Sequence, residues 1–422
     1  MDFFTLLKQE VETTRQVISA TWWFVFPVVL FYLFQIMWIK YVWGEYKKKL
    51  KYILLEIKPP RDIEKSPKTM EQFFIFLHGI WSTPNYFDYY LKGRVKQSQF
   101  ALEIQGVNGE IHFFVRTEER YRNLVESGIY AQYPDAEIQE TEDYVLSVPK
   151  NVPNPDWNMW GTDYKFAKDD AYPIRTYHKF QEEVTKGMIE PLASLADIIS
   201  TLPPGHQLWL QILIIPIKDK TWRPEVQKIV AKLAGREVKK EAVAIIRFFQ
   251  EAVDIVASAF KYIFNPVPEE EEKKKEEAPL QFRLTPVEKD VLQAVEESLN
   301  KKAFKTKIRN IYVAPRKTFK KVFYQGVDGF IHQFNDPNLN TLDKDNETKT
   351  YANYYFVKYR MLWAQRKIWN RYLTRDDDGP NVILNTEELA TLFHLPDMSA
   401  LSPSIARVEA KKGGAPINLP IG

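Results

Sequence analysis

A run of uncharged residues near the start of the chain constrains the fold more than any other feature. Residues 22–39 read WWFVFPVVLFYLFQIMWI, in which Gln35 is the one strongly polar side chain. With its flanking residues the run is long enough to cross a hydrocarbon core of roughly 30 Å as a helix. The sequence therefore predicts a transmembrane helix over residues 18–43, preceded by a short extracytoplasmic tail over residues 1–17. A cleaved signal peptide is the alternative, but it typically has a shorter apolar run and a small-residue cleavage site, neither of which is evident.

The residues that border the run indicate how the helix would lie in a membrane. Aromatic side chains mark both of its ends, as in the aromatic belts at the level of the lipid headgroups. A basic juxtamembrane segment over residues 44–51 follows, whereas only Lys8 and Arg15 precede the run. Because positively charged flanks stay on the cytoplasmic side, we expect the large C-terminal part to be cytoplasmic. The predicted membrane-interface residues are Trp22, Trp23, Trp38, Tyr41, Trp43, Lys47, Lys48 and Lys49.

Residues 52–150 carry the pattern strand–helix–strand–strand–helix–strand. Asn108-Gly109 joins two runs of strand-forming residues and is the strongest short signal for a hairpin. Ser66 and Pro67 suit the N-cap and the first position of the first helix. The predicted strands are 51–58, 99–107, 110–116 and 136–144, and the second helix is 118–130. This βαββαβ order predicts a ferredoxin-like unit, in which two helices cover one sheet face and the other face stays open for a partner.

Residues 151–395 predict a second α+β unit, with a helical insertion over residues 223–300. Within the insertion, EEEEKKKEE between prolines predicts a solvated linker over residues 265–279. Thr285-Pro286 predicts the start of a helix that ends at Leu299. The other predicted elements are strands within 163–179 and over 207–218 and 305–316, and helices over 183–200, 224–264, 318–334, 351–375 and 385–395.

Two further signals complete the predicted organisation. The last helix is expected to begin with Asn385 or Thr386 at its N-cap and Glu388 behind it, and an extended tail over residues 396–422 follows. The layout of residues 111–133 is similar to that of residues 308–334, which indicates a duplication. The predicted fold is therefore α+β: one N-terminal transmembrane helix followed by tandem ferredoxin-like units with a helical insertion.

The motifs of common catalytic and cofactor sites are absent from the sequence. Without cysteine, the chain has no thiolate nucleophile, disulfide or Cys-ligated metal. No GxxxxGK[ST], HExxH or GxSxG motif occurs, and the six histidines show no ligand spacing. The acidic residues within 343–347 lack the glycine of a calcium loop, and those within 376–378 lack its alternate spacing. We therefore expect a non-enzymatic protein with no cofactor or metal; an enzyme without a recognisable motif is the remaining alternative.

Two basic stretches are the strongest candidates for a contact surface. The formal net charge of +3 is too small for nucleic-acid binding over the whole surface, so such a function would be local. Residues 301–321 contain nine Lys or Arg and no Asp or Glu, and residues 358–375 contain six among Tyr and Trp residues. Three interpretations stay open: a solvated surface, single-stranded nucleic acid, and anionic lipid or a protein partner. The candidate contact residues of the first stretch are Lys301, Lys302, Lys305, Lys307, Arg309, Arg316, Lys317, Lys320 and Lys321.

Three segments resemble a known family. EIHFFVRTEERYRNLVESGIYAQYPDAEIQETEDY over residues 110–144 resembles the N-terminal region of bacterial type IV secretion and conjugative DNA-transfer ATPases, where a similar stretch follows one membrane span. NTEELATLFHLP over residues 385–396 and RVEAKKGGAPINLPIG over residues 407–422 resemble the junction just before the ATPase domain of that family. The resemblance covers most of the chain from the predicted span onward. It transfers no catalytic residue, because the matching region contains none.

The resemblance implies a location and a set of partners. A RecA-like motor would come next in that family, and the sequence stops before one, so the expectation is a module that works with a RecA-like ATPase in trans. It implies a single-pass protein of the bacterial inner membrane, a non-catalytic scaffold that docks the ATPase to the lipid bilayer. A ring-shaped ATPase would further imply a homo-oligomer of this chain. The alternative is a module that guides DNA with residues 301–321 and 358–375.

Overall fold

The computed structural model describes residues 3–60, 65–180, 190–234 and 284–396, which form an α+β fold. The helices are α1 (Phe3–Lys49), α2 (Lys68–His78), α3 (Tyr86–Tyr90), α4 (Arg122–Gln132), α5 (Ala193–Ser200), α6 (Asp219–Leu233), α7 (Pro286–Leu299), α8 (Lys321–His332), α9 (Val357–Thr374) and α10 (Thr386–Leu392). The strands are β1 (Tyr52–Lys58), β2 (Phe100–Val107), β3 (Glu110–Glu118), β4 (Glu137–Thr141), β5 (Trp157–Phe166), β6 (Gln207–Pro216), β7 (Ala303–Pro315), β8 (Leu342–Lys344) and β9 (Val382–Asn385). The predicted linker over 265–279, most of the helix predicted over 224–264 and the tail after residue 396 lie outside the described residues.

Helix α1 contains the predicted span. Its part from Trp22 to Lys49 is 28 residues long and, by length and composition, can cross a membrane. Large apolar side chains along this part, such as Phe26, Phe31 and Phe34, are exposed rather than buried in the protein. The helix runs unbroken from Phe3, so it also includes residues predicted as the tail and most of the basic juxtamembrane segment.

The nine strands of the described residues form one antiparallel sheet. Their order is β4-β1-β3-β2-β6-β7-β5-β8, and β9 pairs with the start of β7. The N-terminal half of the sheet has the order β4-β1-β3-β2, and the other half has the order β8-β5-β7-β6. The halves meet where β2 pairs with β6, from Phe100 opposite Ile214 to Val107 opposite Gln207. Both halves of the chain therefore contribute to one continuous sheet.

Local sequence signals explain several element boundaries. β2 and β3 are joined by Asn108 and Gly109, which have φ angles of 52° and 84°, as a two-residue hairpin requires. The side chain of Asn385 accepts hydrogen bonds from the first turn of α10, and Glu388 completes a capping box. Thr285 caps α7 in the same manner. The predicted hairpin and both predicted helix starts are confirmed.

Two other predicted boundaries are wrong. Helix α2 begins at Lys68, and the side chain of Ser66 does not cap it; the Ser66 carbonyl accepts a hydrogen bond from the Thr69 amide instead. Helix α9 begins at Val357 rather than at residue 351. Tyr354 and Phe356 have φ angles of 66° and 56°, and such left-handed conformations cannot continue a right-handed helix.

The two faces of the sheet are covered differently. On one face, alternating apolar residues such as Leu102, Ile212 and Ile308 pack under α2, α4, α5, α8 and α10. On the other face, the central strands pack against the apolar side of α9 around Trp209 and Trp369. The prediction of an open sheet face is therefore wrong for the central strands, because α9 supplies the apolar side chains that cover them.

Candidate docking surface

Helix α1 is packed on the sheet domain through its C-terminal turns. The indole Nε1 of Trp38 donates a hydrogen bond to the Tyr90 carbonyl at 2.8 Å. Val42 is buried, and the backbone at Gly93 lies so close that a Cβ there would be 2.2 Å from the Val42 carbonyl oxygen. These contacts fix the orientation of α1 relative to the sheet.

The predicted membrane-interface residues all lie on α1 but differ in their surroundings. Trp22, Trp23 and Tyr41 are exposed, whereas Trp43 is half-buried and lies 5.9 Å from the Lys96 ammonium, measured to the ring centroid. The three lysines that follow are exposed at the end of the helix: Lys47, Lys48 and Lys49. Trp38, Trp43 and the basic flank thus lie where α1 meets the domain, whereas Trp22 and Trp23 lie at the other end of the uncharged run.

A polar cavity of about 600 Å³ separates the end of α1 from one end of the sheet. It is lined by Trp43 and Lys47 from α1, by the starts of β1 and β2, by the ends of β3 and β6, and by residues 374–378. In it the Arg116 guanidinium lies 4.1 Å from the centroid of the Tyr52 ring, and burial, followed by the nearby charge of Arg375, lowers the pKa of Arg116. We call this end of the sheet the near end. The far end carries the β2–β3 hairpin, the start of β5 and the end of β7.

Four polar residues lie side by side across the centre of the sheet. Glu103 on β2, Gln211 on β6, Arg309 on β7 and Asp163 on β5 are register partners on adjacent strands, and all four are fully buried. Gln211 donates a hydrogen bond to Glu103 at 2.8 Å, and Arg309 Nε donates one to Asp163 at 2.6 Å. We call this row the polar ladder. Because a buried charge is costly without its partner, removing any charged member should destabilise the sheet.

Arg375, the residue after α9, joins the polar ladder at Glu103. It donates two hydrogen bonds to the Glu103 carboxylate at 3.0 and 3.1 Å, and two to Asp143 at 2.6 and 2.8 Å. Burial alone would lower the pKa of Arg375, but the two carboxylates outweigh it and raise the pKa above the usual value. Arg375 therefore holds α9 on the sheet and is not part of an exposed basic surface.

The first basic stretch does not form one surface. Lys307 and Arg309 are buried beside Asp163, which lies 3.6 Å from Lys307 Nζ. Burial lowers the pKa of Lys307 to about 8 even though Asp163 opposes the shift. The prediction that Lys307 and Arg309 contact a partner is wrong, because alternation along β7 turns these side chains under α9. Three further members are half-buried in ion pairs with acids: Lys301 with Glu387, Lys302 with Asp219, and Lys305 with Asp377.

The other four members of this stretch are exposed at the far end of the sheet. Arg316 directly follows β7, and its backbone amide donates a hydrogen bond to the Asp156 carbonyl at 2.7 Å. Its guanidinium donates to the Asn154 carbonyl. Lys317, Lys320 and Lys321 are exposed and form no ion pair with any acid in the described part of the chain.

The second basic stretch is divided along α9. Near the far end, Gln365 Nε2 donates a hydrogen bond to the Met159 carbonyl at 2.7 Å, whereas Arg375 binds the centre of the sheet. The helix thus runs from the far end toward the near end. In its C-terminal half, Trp369 stacks on Trp209 with ring centroids 5.5 Å apart. This half belongs to the core, and its buried aromatic residues form the apolar side of an amphipathic helix.

The start of α9 and the loop before it expose aromatic and basic side chains together. Tyr355 is 85% exposed and Trp363 is 63% exposed, and the Lys367 ammonium lies 4.9 Å from the centroid of the Trp363 ring. A shallow cavity of about 350 Å³ lies beside Tyr359, with Glu347 as its acidic member. We define the far-end surface as Tyr354, Tyr355, Phe356, Lys358, Tyr359, Arg360, Trp363 and Lys367 together with Arg316, Lys317, Lys320 and Lys321.

The aromatic members that precede the helix were not among the predicted contact residues. The sequence YANYYF over residues 351–356 contains four aromatic residues in six, and this is the signal that could have identified them. The structure leaves Tyr354, Tyr355 and Phe356 exposed.

One cluster of acidic residues in the described part of the chain is compact enough to hold a cation. The carboxylates of Asp376, Asp377 and Asp378 lie within 4.8 Å of one another. Lys96 Nζ lies 2.7 Å from Asp377, and Lys305 Nζ lies 3.4 Å from it. Burial alone would raise the pKa of Asp377, but the two ammonium groups hold it below its usual value. Two lysines therefore already pair with Asp377, the buried member of this cluster.

The geometry defines a class of protein: an α+β domain that packs on one long apolar helix at the near end of its sheet and exposes aromatic and basic residues at the far end. Residues 45–408 match the family described as "Domain of unknown function (DUF8128)". The chain therefore belongs to this family, and the match includes every strand of the sheet. No curated protein matches the chain.

Proposed function

We propose that this chain is a membrane-anchored, non-catalytic scaffold of a type IV secretion or conjugation-like apparatus that docks a cytoplasmic RecA-like ATPase to the membrane. One observation carries the proposal: the apolar helix α1 packs on α3 and Gly93 beside the near end of the sheet, and the far-end surface lies at the opposite end. An anchored domain of this shape presents its exposed aromatic and basic residues away from the bilayer. The proposed location is the bacterial inner membrane, with the domain in the cytoplasm.

The proposed mechanism is tethering. Holding two partners at one bilayer raises the effective concentration of each for the other without any new chemistry. When the connection between anchor and domain is rigid, tethering also orients the domain. The contacts of Trp38 and Val42 with the domain provide such a connection. The polar ladder and Arg375 in turn hold α9, so the far-end surface would keep a fixed orientation relative to the anchor.

We interpret the two halves of the sheet as tandem ferredoxin-like units. In each half the first strand is followed by a helix, the third strand is followed by a helix, and the strand order is fourth-first-third-second. The second strands of the halves, β2 and β6, pair with each other. This pairing of equivalent strands supports a duplication with approximate two-fold symmetry.

The scaffold proposal is tested by recovering the partner. The tagged, detergent-solubilised full chain is isolated from its native membrane, and co-purifying proteins are identified by mass spectrometry. We expect a RecA-like ATPase to co-purify with the wild-type chain and to be lost with the double variant Tyr359→Ala, Trp363→Ala. The matched control is Tyr130→Ala, because Tyr130 is an exposed aromatic residue on α4, which covers the sheet face opposite to α9. Recovery of no ATPase, or equal recovery with all variants, would overturn the proposal.

A second candidate function is guidance of DNA, and one observation favours it. Exposed aromatic rings interleaved with basic side chains at the far-end surface suit single-stranded nucleic acid, whose bases stack on the rings while its phosphates pair with the cations. The buried and ion-paired state of most of the first basic stretch reduces the basic area available. The scaffold remains the leading proposal for that reason.

Salt dependence separates the two functions. If single-stranded DNA binds here, replacing Lys317, Lys320 and Lys321 by Glu should abolish binding at physiological salt. Each phosphate contact lowers the slope of log affinity against log salt concentration by about 0.7. The matched control reverses Lys220, Lys228 and Lys232, which are exposed on α6 and change the net charge equally. Equal loss with both triple variants indicates non-specific attraction, and unchanged binding with the first rejects DNA guidance through these lysines.

A further inference from the structure

Helix α3 exposes more aromatic side chains than is usual for a surface in contact with water. Its five residues are YFDYY, and Leu91 follows. None of the five is buried; Tyr86 is 85% exposed and Phe87 is 61% exposed. The Asn85 side chain caps the helix by accepting a hydrogen bond from the Asp88 amide at 2.7 Å. The exposure therefore belongs to a formed helix with a defined start.

The aromatic rings of α3 are held together rather than splayed. Tyr86 and Tyr90 stack with ring centroids 6.4 Å apart and planes 4° from parallel. Tyr89 meets Tyr90 edge to face at 5.0 Å. Such a group buries large apolar area when it is covered, while each tyrosine hydroxyl can stay hydrated. What covers it must accept both apolar rings and polar tips.

The position of α3 along α1 identifies the cover. The Tyr90 carbonyl accepts the hydrogen bond from Trp38, one residue before the end of the uncharged run over 22–39. Gly93, just beyond α3, adopts a φ of 72° and touches the Val42 carbonyl one turn further along α1. The exposed rings therefore lie at the level where the apolar part of α1 ends, the depth at which aromatic belts contact lipid headgroups.

We propose that α3 and Leu91 form a second membrane contact, which lies in the interfacial layer of the bilayer beside α1. The occupant of the exposed aromatic face is the headgroup and upper acyl-chain region of the lipids. This inference rests on the proposed membrane anchoring by α1. Two contacts at one level, one spanning and one interfacial, restrict the tilt of the domain more than a single helix can.

The test uses single-cysteine probes in the full chain, which has no natural cysteine. Phe87→Cys probes α3, Phe31→Cys probes the middle of the uncharged run, and Tyr130→Cys probes the soluble surface on α4; all three side chains are exposed. Each variant is labelled with an environment-sensitive fluorophore and reconstituted in vesicles of phosphatidylcholine and phosphatidylglycerol. Quenching is measured with lipids that carry a nitroxide in the headgroup region or deep in the acyl chain. Tyr86→Cys repeats the α3 measurement in case the Phe87 variant is poorly folded.

The outcomes separate this inference from the anchoring itself. We expect the Phe31 probe to be quenched by the deep nitroxide, the Phe87 probe by the shallow nitroxide with a blue-shifted emission, and the Tyr130 probe by neither. Quenching at Phe31 without quenching at Phe87 or Tyr86 leaves the anchor intact and overturns the interfacial helix. A blue shift at Phe87 without lipid quenching indicates that protein covers α3 and also overturns it. Absence of quenching at Phe31 overturns the anchoring proposal on which the inference rests.

Discussion

Asp163 lies close to more positively charged side chains than Glu103, the other carboxylate of the polar ladder. Its oxygens lie 2.6 Å from Arg309 Nε, 3.6 Å from Lys307 Nζ and 3.8 Å from an Arg371 guanidinium nitrogen. Replacing Asp163 by Asn leaves buried cations without a carboxylate and should cost about 3–5 kcal/mol of unfolding free energy. Denaturant unfolding of the full chain in detergent measures this loss.

A surface pair is the control for the Asp163 prediction. Arg122 and Glu140 form an ion pair in which the side chains are 41% and 47% exposed. Glu140→Gln should cost less than about 1 kcal/mol, because exposed pairs contribute little. If the two variants were equally stable, the polar ladder would not be holding the sheet and α9 together.

Glu388 should make stability depend on pH. Its carboxylate is buried and accepts hydrogen bonds from the backbone amides of Asn385 and Ile174, and burial raises its pKa from 4.5 to about 7. The folded state thus keeps the proton to higher pH than the unfolded state. The contribution of Glu388 to stability falls as the pH rises from about 4.5 to about 7 and is constant outside that window. Comparing unfolding midpoints of the wild type and Glu388→Gln across the window tests this; parallel pH profiles would refute it.

At the scale of residues, the sequence predicts what depends on near neighbours. The capping box of Asn385 and Glu388 and the hairpin turn at Asn108-Gly109 each involve residues a few positions apart, and both are confirmed. Arg309 looks like a surface cation because its partner Asp163 lies 146 residues away in the chain. Pairing across distant strands has no local signature, so the polar ladder could not be predicted.

Helix α9 combines a core half and a surface half, and the two should respond differently to the same substitution. Trp369 is 1% exposed, stacks on Trp209 and donates a hydrogen bond to the Lys150 carbonyl at 2.8 Å. Trp369→Ala should cost about 3–5 kcal/mol of unfolding free energy through the cavity it leaves. Trp363→Ala, on the same helix, should stay within about 0.5 kcal/mol. Thermal unfolding of both variants checks the contrast, which equal losses would contradict.

Gly93 should control how firmly α1 is attached. Its φ of 72° costs an L-residue roughly 1–2 kcal/mol, and a Cβ would clash with the Val42 carbonyl 2.2 Å away. Gly93→Ala should therefore loosen the junction. A fluorophore on α1 and a quencher on the domain can report this change as a loss of quenching. Gly329→Ala on α8 is the control, because no atom lies within 4 Å of its added Cβ and its φ is helical. A junction unchanged by Gly93→Ala would contradict the packing of α1 on the domain.

At the scale of elements, periodicity predicts the long elements better than the short ones. Thr285-Pro286 and the spacing of apolar residues predict the helix up to Leu299, and the structure confirms it. β8 and β9 have three and four residues, too few for a strand pattern, and form because neighbouring strands offer unpaired edges. The late start of α9 is likewise set by left-handed backbone at Tyr354 and Phe356, conformations unusual for aromatic residues.

At the scale of the whole molecule, the sheet links two opposite ends. The near end meets α1 across a polar cavity, and the far end exposes the far-end surface. The sequence predicts an α+β chain with an apolar N-terminal helix. It cannot predict that both halves share one sheet, because the pairing of β2 with β6 joins strands about a hundred residues apart. It also cannot predict which basic residues stay exposed, because that follows from where α9 crosses the sheet.

The most direct test of the scaffold is photo-crosslinking in the native cell. A photoreactive phenylalanine analogue is placed at Tyr359 on the far-end surface and, as the control, at Tyr130 on α4; both side chains are exposed. Crosslinked products are identified by mass spectrometry after isolation of the membrane. The account predicts that a RecA-like ATPase is crosslinked from position 359 and not from position 130. Crosslinks to nucleic acid alone, or to no ATPase at position 359, would contradict it.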